Sequence, residues 1–328
     1  MEFCIRKEEN GLTVLSFLRQ KLSVSQKTLR HWKYMENGIC VNGAQVSVRY
    51  CLCTGDRLTV ADRDRPADHA SDIVPSGICP DILYEDDALI AVNKPPHMPT
   101  HPSHGHTEDT LANAMATLYR ERGLPFVFRP AGRLDRNTSG IVVCSKTQAA
   151  ASFLFDAQSS HRIRKCYLAI LDGILDVSPV GTERTIICGI RRQTESIIMR
   201  TVCDADRDSP QYAETRYRVL AISHDPAMTL VAAMPLTGRT HQLRVHFSHI
   251  GFPILGDDLY GSPSTWIDRH ALHAFLLSVP RPFDGEYLTL TAPLPTDFSA
   301  LLPRFGLHTT QDMEVLIHEK QLFSGKEF

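Results

Sequence analysis

Apolar residues at Val14, Leu15, Leu18 and Leu22 recur at helical spacing and predict an amphipathic helix close to the N-terminus. A second helix is expected from Ser25, an N-cap residue type, with Leu29, Trp32 and Met35 facing inward. It should stop at Asn37-Gly38, since glycine adopts the conformation that ends helices. Short strands then read over 39–43 and 56–60, with a turn at Asn42-Gly43. Further along, apolar runs predict strands at 88–92, 141–144, 167–171, 217–221 and 229–234. Helices are expected over 109–122, 147–157 and 239–250. The first of these carries Leu111, Met115 and Leu118 as its buried stripe, and the last turns Leu243, Phe247 and Ile250 to the core. Many strands with helices between and around them indicate α+β or mixed α/β packing.

The 328 residues suffice for two domains. Residues 1–62 read as a small separate unit. Residues 63–80, charged and dotted with Pro, Ser and Gly, suit a flexible linker. A larger domain covers 81–305, and 306–328 reads as a tail or a final packing element. No apolar run approaches bilayer length, and the start, Met1-Glu2-Phe3-Cys4, lacks a signal-peptide core, so a cytosolic protein without a membrane is expected. The nine cysteines form no C-x-x-C pair, and Cys51-Leu52-Cys53 is spaced too closely for the usual zinc pairs. A net charge of −2 does not advertise a nucleic-acid partner. Its distribution is uneven, however: residues 1–62 hold nine Lys/Arg against six Asp/Glu, and 63–110 hold three against nine. A locally basic unit beside an acidic segment leaves RNA open as a partner.

Candidate chemistry begins at Arg133-Leu134-Asp135-Arg136-Asn137-Thr138-Ser139-Gly140, which runs into the apolar Ile141-Val142-Val143-Cys144. Two guanidinium groups keep a carboxylate between them ionised. Such a cluster can be a structural ion pair or a site for a polyanionic substrate. A second string, Leu236-Thr237-Gly238-Arg239-Thr240-His241-Gln242-Leu243-Arg244-Val245-His246, weighs for the site. Together the two resemble the signatures of the RluA-type pseudouridine synthases. Tyr84–Pro95 is similar to the family's opening strand and N-K-P loop, Lys165-Cys166-Tyr167-Leu168-Ala169 to its K-x-Y-x-A, and Gly256-Asp257-Asp258-Leu259-Tyr260-Gly261 to its G-D-x-x-Y-G. Leu272-His273-Ala274 and Ala292-Pro293-Leu294-Pro295 match its ending. The first sixty residues, with V-N-G and G-D-x-L-x-V, resemble an S4 RNA-binding domain.

The resemblance implies a mixed, largely antiparallel central sheet with flanking helices and a cleft for RNA. It implies isomerisation of uridine to pseudouridine in structured RNA, with ribosomal RNA favoured over transfer RNA. That reaction breaks the N1–C1′ bond, turns the uracil and rejoins it through C5, so it requires neither a metal nor a redox cofactor. Asp135 would be the essential carboxylate, Arg239 its ion-pair partner, and Tyr167 the group stacking on uracil and the candidate acid/base. Leu243 would close the other side of the base, and Arg133 would steady the extruded nucleotide. Lys27, Arg30 and Lys33 on the second helix would meet RNA phosphates. Where the family has His before R-L-D, this chain has Gly132.

Other readings differ in class. A non-catalytic RNA binder needs no Asp135, Tyr167 and Arg239 set. A glycosidase-like hydrolase would want a second carboxyl group, and Asp257 and Asp258 read as turn residues. His97, His101, His104 and His106 could hold zinc or nickel, but their segment also resembles a metal-free K-P-x-G-x-x-x-H-P loop. His241 and His246 are i and i+5 and share no helix face, which favours packing or hydrogen bonding. A monomer is the default expectation.

Overall fold

The computed structural model describes residues 1–22, 26–61, 73–125, 127–175, 181–282 and 285–307. Ser25, 63–72 and 308–328 therefore lie outside the described residues, as does the side chain of Lys27. The N-terminal unit holds β1 (Glu2–Cys4), α1 (Val14–Leu22), α2 (Gln26–Tyr34), β2 (Ile39–Val41), β3 (Ala44–Gln45) and β4 (Arg57–Val60). The strands form one antiparallel sheet in the order β1-β4-β2-β3. Val14, Leu18, Leu22, Leu29 and Trp32 bury the facing sides of the two helices against it, while Met35 is half-buried just beyond α2. Asn42 and Gly43, with φ of 51° and 85°, make the two-residue turn between β2 and β3. Gly38 is needed for proximity, because a Cβ there would lie 2.0 Å from the carbonyl oxygen of Trp32.

The larger unit opens with β5 (Asp81–Glu85), β6 (Leu89–Lys94), α3 (Leu111–Glu121), β7 (Ser139–Ser145), α4 (Gln148–Ser159) and β8 (Arg164–Asp172). It continues through β9 (Glu183–Arg192), β10 (Arg200–Cys203), β11 (Tyr212–His224), β12 (Ala227–Pro235) and α5 (Gln242–His249). β13 (Leu272–Pro280), β14 (Tyr287–Thr291) and the short α6 (Thr296–Ser299) and α7 (Leu301–Arg304) complete it. Ten strands form one sheet in the order β10-β9-β11-β12-β8-β13-β7-β6-β5, with β14 also on β13. Every pairing is antiparallel except β13 with β7. The fold is thus the expected α+β arrangement around a mixed, largely antiparallel sheet.

Thr110 and Thr147 cap α3 and α4, each accepting from the backbone N–H three residues on. Leu111, Met115 and Leu118 are buried as the periodicity predicts. Residues 73–80, the second half of the expected linker, lie on α3: Asn113 Nδ2 donates to Val74 O at 2.7 Å, and Gly77 N donates to Thr117 Oγ1 at 3.0 Å. Ala149 of α4 is buried among the core residues of the N-terminal unit, which brings α4 against α1.

Gly140 sits where β7 and β13 approach too closely for a side chain. Its φ is 113°, and a Cβ there would lie 2.2 Å from the carbonyl oxygen of Ala274, its partner in the parallel pairing. Gly140→Ala should therefore destabilise the protein by roughly 3 kcal/mol or more, read as a lower urea midpoint. An unchanged midpoint would contradict so close an approach.

Candidate active site

The loop that leads into β7 is fixed residue by residue. Thr100 Oγ1 donates to Leu134 O at 2.9 Å and accepts from Leu134 N at 3.2 Å. Lys94, fully buried, donates through Nζ to the carbonyl oxygens of Pro95, Met98 and Arg136 at 2.8, 2.8 and 3.1 Å. Burial, then the charge of Arg269, brings the Lys94 amine down to about 7, against a raising effect of Asp135. Arg269, also buried, donates to Asn137 O at 3.0 Å while its Nε and Nη2 hold Asp297. Thr138 and Ser139 hydrogen-bond the rings of His270 and His273 at 2.8 and 2.9 Å. These contacts fix the backbone on both sides of Asp135, whose side chain stays partly open to solvent. A carboxylate held by its neighbours keeps its aim when a substrate arrives.

Arg244, in the first turn of α5, faces that carboxylate. Its Nη1 lies 3.6 Å from Asp135 Oδ2, while Nε and Nη2 donate to the two oxygens of Asp257 at 2.8 and 2.7 Å. Burial opposes the charge of Arg244, yet the hydrogen bonds and charge of Asp257, helped by Asp135, outweigh it and raise the guanidinium pKa. Burial likewise pushes Asp257 upward, and its bonds to Arg244 win, leaving the carboxyl below its ordinary value. His241 stands at the start of α5 in the left-handed region with φ 58°. Its Nδ1 pairs with the Tyr260 hydroxyl at 2.8 Å, and Nε2 lies 3.9 Å from Asp135 Oδ2. Burial lowers its pKa despite the pull of Asp135, so the ring is neutral at pH 7.

Asp135 opens into a cleft of about 1110 Å³ that Arg133, Tyr167, Arg239 and Leu243 also line. Tyr167 stands on β8, and Leu243, buried at 5% exposure, enters from α5. Burial, then the charge of Asp135, pushes the Tyr167 phenol upward, so it meets the cleft as the neutral phenol. Eight Lys/Arg and three Asp/Glu line this cleft, giving a cationic groove in a chain of net charge −2. Such a groove attracts a phosphate backbone.

The profile described as RNA pseudouridylate synthase matches residues 88–249, and that of the RluD ribosomal pseudouridine synthase N-terminal domain matches residues 1–58. The uncharacterized RNA pseudouridine synthase YjbO of Bacillus subtilis is 36% identical over 283 residues, covering 86% of this chain and 95% of that protein. The chain belongs to the RNA pseudouridine synthase family. As such it is an enzyme, an isomerase. The ribosomal large subunit pseudouridine synthase D of Xylella fastidiosa is 34% identical over 252 residues, 72% of either chain. The solved human RNA Pseudouridylate Synthase Domain Containing 1 aligns with a TM-score of 0.58 at 27% identity, covering 76% of this chain and 96% of that one.

In this synthase the expected Arg133, Asp135, Tyr167, Arg239 and Leu243 all reach one cleft. The expected ion pair between Asp135 and Arg239 is corrected. Arg239 Nε donates to Tyr212 O at 2.9 Å, and the guanidinium beside Asp135 is that of Arg244. The cause is the helix start: α5 begins at Gln242, not at 239, so Arg239 stays on the preceding loop. Arg30 and Lys33 are exposed on α2 and do not line the cleft, with Lys33 Nζ 5.4 Å from the ring centroid of Tyr34. The histidines after Lys94 serve separate contacts. His97 lies 3.6 Å from Asp268, His101 meets Phe128 edge-on, and His106 pairs with Asp109 at 2.6 Å. Among the described residues no cluster of three or more His, Cys, Asp or Glu could hold a metal ion.

The sequence reading missed Arg244, His241, Lys94 and Arg269. A signal for Arg244 was present: a buried guanidinium requires carboxylates, and Asp257-Asp258 is the nearest acidic pair in sequence after it. Asp257→Asn should cost about 3–5 kcal/mol at pH 7, since it leaves Arg244 without its closest charge partner. The folded pKa of Asp257 lies below the unfolded one. Its stabilising contribution is therefore complete above about pH 4 and is lost as pH falls further. Urea midpoints against pH should show the wild-type and variant curves converging in acid; parallel curves would contradict the assignment.

Proposed function

We propose that this synthase isomerises uridines in ribosomal RNA, with Asp135 as the essential carboxylate at C1′ and no cofactor. The observation that carries the reading is the carboxylate itself, set between Arg244 and a neutral His241 at the floor of a cationic cleft that holds a tyrosine and a leucine. Arg244 offers the Asp135 carboxylate a fixed charge partner at 3.6 Å, an interaction that strengthens once RNA displaces water from the cleft. Tyr167 and Leu243 supply the aromatic and apolar walls for a uracil turned out of its stack. The isomerisation neither oxidises the base nor adds water, so its chemistry calls for no metal or redox group. Ribosomal RNA is favoured by the similarity to the Xylella enzyme and by the N-terminal match.

The N-terminal unit, taken as residues 1–62, docks the RNA through α2, where Arg30 and Lys33 are exposed; Lys27 belongs to the same helix. We place the enzyme in the cytoplasm as a monomer. All nine cysteines are free thiols, as a reducing compartment requires, and among the described residues no helix is long and apolar enough to cross a membrane.

Carbodiimide-dependent reverse-transcription stops in ribosomal RNA should disappear at one or a few sites when the gene is deleted, and return with the wild-type chain. Asp135→Asn should restore none. Arg244→Lys should cut the isomerisation rate about 10²-fold and Arg239→Lys much less. Unchanged stops in the deletion strain would remove ribosomal RNA as substrate, and an active Asp135→Asn would remove the mechanism. Arg133 is exposed at the mouth of the cleft and is assigned to the extruded nucleotide. Arg133→Ala should slow isomerisation of folded RNA more than of a single-stranded oligonucleotide, and equal loss on both would refute that role.

A further inference from the structure

Lys165 has no task in the reaction as described so far. It stands two residues before Tyr167 on β8, so both side chains leave the same face of the strand, and both line the cleft. Its Nζ lies 3.1 Å from the position a Cβ would take at Gly132. The ammonium group thus occupies space that a side chain at 132 would claim, three residues ahead of Asp135. Behind it is an apolar recess walled by Ala131, Ile141, Val143, Ile163 and Leu277.

Several other cations of the cleft are engaged, Arg244 by Asp257, Arg239 by Tyr212 O and Arg218 by Glu183, while Arg133 is exposed to solvent at the mouth. The Lys165 side chain has no hydrogen-bond or ion-pair partner among the described residues. Burial holds its amine below the ordinary lysine range, and no carboxylate offsets that effect. Lys165 is half-buried, and a partly desolvated cation without a partner costs some stability. The arrangement has a use if the partner arrives with the substrate. A backbone phosphate would stay at the cleft mouth, whereas the inner end, beside Tyr167, is where the base must go.

We propose that Lys165 is a catalytic residue whose ammonium donates a hydrogen bond to an exocyclic oxygen of the target uracil and stabilises the negative charge the ring acquires during isomerisation. This rests on the uridine-isomerising reading of the cleft. When the C1′–N1 bond breaks, its electron pair stays with the uracil and spreads over N1, O2 and O4. If Asp135 instead adds to the base, ring electrons move onto the same oxygens. Either route places an anionic oxygen within the reach of a fixed cation, which stabilises the charge strongly where water is excluded. Lys165 keeps its proton throughout. A ring electron pair forms the C5–C1′ bond, the C5 proton then passes to water, and N1 takes up a proton from water, so the isomerisation gains and loses no proton overall.

The test uses the full chain and large-subunit ribosomal RNA transcribed without modification from [5-³H]uridine. Single-turnover tritium release, RNA affinity against salt concentration, and urea midpoints are compared for wild type, Lys165→Met and Lys165→Arg. Lys165→Met should release tritium about 10²-fold more slowly, with unchanged affinity and salt slope and a midpoint no lower than wild type. Lys165→Arg should recover much of the rate and carry the alkaline fall in rate to higher pH, because guanidinium stays protonated. Undiminished release by Lys165→Met would overturn the proposal. So would weaker binding with a shallower salt slope, which marks a phosphate contact, or a lowered midpoint that accounts for the loss. No release by the wild-type chain would instead overturn the ribosomal RNA reading, and this inference with it.

Discussion

The site depends on one guanidinium that links Asp135 to the buried Asp257, with the exposed Asp258 a third carboxylate 3.5 Å from Nη2. Arg244 spends Nε and Nη2 on the buried Asp257, which leaves Nη1 directed at Asp135. The first pairing makes the second possible. An arginine anchored only by a solvent-facing aspartate would lose much of the interaction to side-chain entropy and screening. Held in two bonds by a buried partner, it presents its remaining edge in a fixed place, and Tyr260 packs against it with the ring centroid 5.1 Å away. The turn that supplies Asp257 is therefore part of the catalytic geometry although it need not touch substrate.

Asp135 is held by a different device, contacts to main-chain carbonyls. Lys94 and Arg269, both fully buried, donate to the carbonyls of Arg136 and Asn137 from elements far away in sequence. Each is a charged side chain used as a multiple hydrogen-bond donor, which satisfies carbonyls that a loop would otherwise leave unpaired. The cost of burying those charges is visible in the Lys94 amine, brought down to about 7. Near neutral pH this clamp is close to losing one of its donors.

Much of this could be read before any coordinates. The strands expected at 141–144, 167–171 and 229–234 lie inside β7, β8 and β12, because each carries a dense apolar run. The cleft residues Asp135, Tyr167 and Leu243 were legible because each sits in a string that resembles a signature of the family. β13 was not, since it is buried at every position from Leu272 to Pro280 and shows no alternation to separate strand from helix. β9, rich in charge, and the four-residue β10 gave no clear period either. Arg239 was expected on the helix, but the left-handed His241 delays the helix start to Gln242, and φ is invisible to spacing arguments. The donors to the Asp135 loop were hidden for a related reason, as Arg269 and Asn137 meet only in three dimensions.

The parallel contact between β7 and β13 spans two registers, His273 with Ser139 and Ala274 with Gly140. On one side of this seam lie β5, β6, β7 and the loop bearing Asp135; on the other lie β8, β12 and the strands beyond, with Tyr167, Arg244 and Leu243. The reacting groups are thus contributed by two sub-sheets whose backbone pairing is only two rungs long, reinforced by the Thr138–His270, Ser139–His273 and Arg269–Asn137 contacts. Glycine 140 acts there as a spacer of minimal thickness, and the error tolerated between carboxylate and guanidinium is inherited from it.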